Sequence, residues 1–64
     1  MNITVDDKIR EIKRELAQRA NVYPRMIARN ALTQARADNQ IAVLRAILAD
    51  YERQKAEREP GLKL

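Results

Sequence analysis

Val5, Ile9, Ile12 and Leu16 stand four, three and four residues apart. That spacing places them on one narrow stripe of a helix with about 3.6 residues per turn. Further along, Ala37, Ile41, Leu44, Leu48 and Tyr51 form a second stripe. Val43 and Ile47 widen it sideways to about 160° when successive residues are set 100° apart. The only Gly is Gly61 and the only Pro residues are Pro24 and Pro60, so from Val5 to Glu59 Pro24 alone interrupts helix-compatible sequence.

The boundaries follow from the residues between these stripes. Thr4 is the expected N-cap of the first arm, and Asp6 and Asp7 suit its first turn, where unpaired backbone N–H groups favour negative charge. Pro24 removes a backbone donor and biases Tyr23 toward extended conformations, so the first arm is expected to end, kink or restart at Val22–Pro24. A kink or restart is favoured, with Pro24 opening a short segment to Arg29. Asn30 is the residue best suited to a left-handed conformation that closes it. Thr33 is placed to cap an uninterrupted second run from Gln34 to about Arg58, which Pro60 and Gly61 then stop. The fold expected is all-α: a single antiparallel helical hairpin kinked near Pro24, with arm one over about 5–29, turn 30–33, arm two over about 34–58 and tail 59–64. At 1.5 Å per residue both arms run about 36 Å. Reflection about the turn brings Tyr23 near Ile41, Ala20 near Leu44, Leu16 near Leu48 and Ile12 near Tyr51.

Size makes this hairpin a poor monomer. A domain near 60 residues buries only about 60% of the surface its unfolded chain exposes. Ala supplies ten of the apolar residues among the chain's 64, and with no Cys there is no disulfide to staple the fold. The second arm is also apolar over a wider arc than one partner helix covers. A homodimer closing a four-helix bundle through Val43, Ile47, Leu48 and Tyr51 is therefore expected. The bland alternative is that Val43 and Ile47 are ordinary exposed apolar side chains.

Several function classes drop out by inventory. No uncharged stretch approaches the roughly 20 apolar residues of a membrane span. The start of the chain lacks the apolar block of a secretory signal, so a cytoplasmic location and no membrane partner are expected. The chain has no Cys, His or Ser, which removes the usual nucleophiles, His general bases and His- or Cys-based metal sites. One Gly cannot make a phosphate-cradling loop. The carboxylates are scattered, with no constellation facing a cleft. A non-catalytic chain with no cofactor and no metal is expected.

Charge adds a surface. The net charge is +4, and it is uneven. Lys8, Arg10, Lys13, Arg14, Arg19, Arg25, Arg29 and Arg36 meet only Glu11 and Glu15 over the first arm and turn. Such a surface suits a phosphate backbone or an acidic protein patch, unless it is simply a solvated face laced with pairs such as Glu15 with Arg19. For nucleic acid the contacts would be Arg10, Arg14, Arg25 and Arg29. Tyr23 is the single aromatic among these arginines, so stacking on single-stranded bases has little support. Met26 to Ile41 reads as helix, turn, helix, but the second arm is too long for a recognition helix, its apolar stripe is used by the hairpin, and a third packing helix is missing. For a protein partner, the anchors expected are Tyr23, Arg25, Met26 and Arg29 at the tip, because interface energy concentrates in aromatic and arginine side chains with apolar neighbours. Tyr23 and Met26 are equally suited to the core.

Val22-Tyr23-Pro24-Arg25, Leu32-Thr33-Gln34-Ala35 with Ala37-Asp38, Ile41-Ala42-Val43 and Ala46-Ile47-Leu48-Ala49-Asp50-Tyr51 together resemble a group of short uncharacterised phage and prophage proteins. The resemblance covers about Glu11 to Glu52. Where those proteins often carry Gly in the turn, this chain has Asn30. The resemblance implies a viral origin and action in the cytoplasm of an infected bacterium. It also implies binding to a host protein, such as a transcription regulator, a defence nuclease or a motility ATPase, to inhibit or redirect it. It supplies no catalytic or ligand residue. Beside this reading stand a basic nucleic-acid-binding accessory protein and a purely structural dimerisation module.

Overall fold

The computed structural model describes residues 2–58. The order is α1 (Val5–Ala28) and α2 (Gln34–Arg58), two helices packed against each other as a hairpin. No helix among the described residues is long and apolar enough to cross a membrane. The stop expected at Pro60 and Gly61 and the tail Leu62–Leu64 lie outside the described residues.

Each end of α1 is closed by local chemistry. The Thr4 hydroxyl accepts from the Asp7 N–H at 3.1 Å, and the Asp7 carboxylate accepts from the Thr4 N–H at 3.0 Å. Two donors that helix geometry leaves orphaned are thereby satisfied reciprocally. At the other end Arg29 caps the helix and Asn30 takes φ 60°. The Asn30 N–H then reaches the Ile27 carbonyl at 3.0 Å and the Ala31 N–H the Met26 carbonyl at 2.8 Å. This paired 5→2 and 6→1 closure needs a left-handed residue, and Asn supplies it nearly as well as Gly. Thr33 starts α2, its hydroxyl accepting from the Arg36 N–H at 3.2 Å.

The restart expected at Pro24 does not occur. α1 runs through Tyr23 and Pro24 as one helix. Pro24 and Ala20 are both exposed, while Tyr23 is held against α2. Tertiary packing outweighs a local preference of about 3 kcal/mol.

The core is small. Only Tyr23 at 7% exposure and Ala37 at 3% are buried among the described residues. Both lie toward the turn, where the short connection holds the helices together. The α1 stripe of Val5, Ile9, Ile12 and Leu16 and the α2 residues Ile41, Leu44, Leu48 and Tyr51 are all half-buried. Each helix has one neighbour, and one neighbour covers only part of its girth. α1 is strongly amphipathic and α2 weakly so, which leaves apolar side chains of α2 outside the seam.

Cross-helix contacts set the register. The Tyr23 hydroxyl donates to Gln40 Oε1, one residue from the pairing expected near the turn. At the open end Lys55 Nζ lies 2.7 Å from Asp6 Oδ1. Lys8 Nζ stands 5.5 Å from the centre of the Tyr51 ring, one turn before the Ile12 expected opposite it.

Candidate functional site

Three features converge on one side of the hairpin. Round α1, Leu16, Ala20, Pro24 and Ile27 lie on one flank of Tyr23, and Glu15, Val22 and Met26 on the other. The first flank meets Gln34, Ala37 and Ile41 of α2 in a groove of about 580 Å³. The second flank, with Leu32 and Gln40, lines a groove of about 270 Å³. It continues into one of about 250 Å³ that shares Arg19 and Gln40 and adds Val43 and Leu44. This second side carries both strongly exposed large apolar residues of the helices, Val22 at 48% and Val43 at 50%.

Helical spacing organises this side into two rows. On α1, positions 11, 15, 18, 22, 26 and 29 read Glu, Glu, Gln, Val, Met, Arg; on α2, positions 36, 40, 43, 47 and 50 read Arg, Gln, Val, Ile, Asp. Steps of three and four keep each row on one face. The side is basic at the turn, apolar in the middle and acidic toward the open end.

A polar network crosses between the helices here. The Tyr23 hydroxyl accepts from Arg19 Nη1 at 2.8 Å and donates to Gln40. Arg19 Nη2 meets Glu15 Oε1 at 2.7 Å. The hydrogen bond to the Tyr23 hydroxyl, reinforced by Glu15, raises the Arg19 pKa against the opposing effect of burial. Arg19 Nε is buried without a hydrogen-bond partner among the described residues.

Folding also redistributes the basic charge. Arg10 pairs with Asp7, and Arg14 Nη2 lies 2.5 Å from Glu11 Oε2. Near the turn, Arg25, Arg29 and Arg36 are exposed and make no ion pair among the described residues. Between residues 16 and 47 stand Arg19, Arg25, Arg29, Arg36 and Arg45 against Asp38, whereas the open end carries seven residues of each sign. The whole +4 of residues 2–58 therefore sits in the half next to the turn.

The expected anchors separate on folding. Arg25 and Arg29 are exposed, Met26 is half-buried, and all three stand at the tip. Tyr23 does not present itself to a partner: it is the largest buried residue, with its hydroxyl engaged twice. Its ring packs inward because the stripe begun at Val5 and Leu16 continues through it. Among the residues expected at a dimer interface, Val43 is exposed and Ile47 half-buried on the second side, while Leu48 and Tyr51 lie on the stripe with Ala37. Sequence reasoning missed Val22 and Leu32 as members of this surface. The three- and four-residue steps linking Val22, Met26 and Arg29 were the available signal for the first of these.

No group of three or more carboxylates able to hold a metal occurs among the described residues. Comparison with protein-family models, curated proteins and solved structures finds no match to this chain.

Proposed function

We propose that this chain is a non-catalytic protein-binding module, a phage-encoded inhibitor or redirector of a host protein, that self-associates into a four-helix bundle. The observation that carries the binding role is the tip, where Val22, Met26 and Leu32 line one groove, Arg25 and Arg29 line another with Val22, and Arg25, Arg29 and Arg36 are exposed without an ion pair among the described residues. Arginine next to apolar surface is the composition in which interface energy concentrates, and the charge suits an acidic partner. The small hairpin core favours self-association through Val43 and Ile47. Viral origin rests on the sequence resemblance alone.

A nucleic-acid-binding accessory role is the second reading, favoured by the net charge. It is weakened by Asp7 and Glu11, which pair with Arg10 and Arg14 and would bring carboxylates beside phosphates. Alanine substitutions at Arg10, Arg14, Arg25, Met26 and Arg29 distinguish the two. Protein binding gives large losses of partner capture at Arg25, Met26 and Arg29 and little effect at Arg10 and Arg14. Uniform small losses at all four arginines, each lowering the salt slope by about one unit, would replace this reading with nucleic acid.

A further inference from the structure

We infer that two copies of this chain stack head to tail, turn against open end, through the side bearing Val22 and Val43. The inference rests on the self-association proposed above and adds its geometry. Arg29 and Arg36 stand at the turn end of that side, Val22, Met26, Val43 and Ile47 in the middle, and Glu11 and Asp50 toward the open end. A two-fold axis crossing the helices near Ala20 and Val43 lays α1 on the second α1 and α2 on the second α2, running oppositely. Arg29 then faces the second copy's Glu11, and Arg36 its Asp50. Val43 meets its own counterpart and Val22 stands about 6 Å along the helix axis from its own, while Met26 falls opposite Arg14 of the second copy.

The alternative, with both turns at one end, brings Arg29 and Arg36 of both copies together. At a helix spacing of about 8–10 Å these charges stand within a Debye length of about 8 Å to 10 Å and repel. Glu11 and Asp50 are already paired with Arg14 and Arg53, but at 60% and 62% side-chain exposure they keep oxygens available to a second guanidinium. Area is adequate: the hairpin measures 48 × 25 × 16 Å, and a broad face of that size exceeds the ~800 Å² per partner of a standard interface. Met26 and Arg29 belong both to this seam and to the proposed partner surface.

The chain has no Cys, so single-cysteine variants carry spin labels cleanly. Ala31→Cys marks the turn and Glu57→Cys the open end, both exposed. Head-to-tail stacking places the two Ala31→Cys labels about 35 Å apart and the two Glu57→Cys labels about 40 Å apart, at 1.5 Å per residue from the axis. Distances below about 20 Å at either position in a sedimenting dimer would overturn the orientation and leave self-association standing. A monomer by sedimentation, with no distance between labels, would overturn both. Arg36→Asp is expected to weaken the dimer at least tenfold, and Arg36→Asp with Asp50→Arg to restore it. Failure of that rescue in a folded double variant would also overturn the charge pairing.

Discussion

The Tyr23 hydroxyl on α1 donates to Gln40 Oε1 on α2, across the seam and close to the other buried residue, Ala37. With Arg19 Nη1 donating to the Tyr23 hydroxyl oxygen at 2.8 Å, one side chain joins packing, register and polarity. Removing only the hydroxyl, Tyr23→Phe, is expected to cost about 0.5–1.5 kcal/mol, whereas Tyr23→Ala costs about 3–5 kcal/mol and unfolds so small a domain. Urea denaturation of Tyr23→Phe, Gln40→Leu and the double variant measures the coupling. Additive effects would mean that the ring alone holds the helices.

Self-association is read directly by sedimentation. The chain of 7.4 kDa is expected to sediment at about twice that mass at micromolar concentration. Burying a large apolar side chain is worth about 1.5–3 kcal/mol, so Ile47→Asp is expected to yield a monomer or an unfolded chain. A well-folded wild-type monomer at high concentration would rule the dimer out.

Pro24 lies inside α1 without a backbone donor, exposed and lining the larger groove. Pro24→Ala restores the hydrogen bond to Ala20 and is expected to preserve or raise helicity and thermal stability, by up to about 3 kcal/mol. Should a bend at Pro24 aim Arg25 and Met26 at a partner, the same variant keeps its fold and loses capture. Undiminished capture by the folded variant would remove Pro24 from the binding mechanism.

Acid is expected to loosen the start of α1. Asp7 is held below the ordinary carboxylate range, first by the Thr4 backbone N–H and then by the Thr4 hydroxyl, against the opposing effect of burial, with Arg10 adding to the lowering. A depressed folded-state value means the contribution is fully present above the unfolded value of about 3.9. It is lost as pH falls through the lower folded value. Thr4→Ala is expected to cost about 1 kcal/mol and to raise the Asp7 pKa toward its ordinary value. Asp7→Asn is expected to remove the pH dependence of this end. Far-UV circular dichroism during acid titration checks the slope, and NMR titration of Asp7 checks the shift.

The amino-acid sequence by itself determined the two helices and their caps. Thr4 with Asp7, Asn30 and Thr33 act through neighbours three to five residues away, so their chemistry is local and readable without a fold. The half-buried stripe from Val5 to Leu16 was legible for the same reason. Only the tertiary structure decided the rest. Whether Pro24 broke α1 depended on Tyr23 being held against Gln40, a contact between distant residues that outweighs a local backbone preference. The inward burial of Tyr23, which withdraws it from the tip, has that same origin. Counting along the chain assigned the basic charge to the first arm and the turn, and the structure narrows it to the half next to the turn. Arg10, Arg14 and Arg19 pair with carboxylates one turn away, which leaves Arg25, Arg29 and Arg36 as exposed cations near the turn. Charges act through distance in space, and only the hairpin turn determines which arginines stand together.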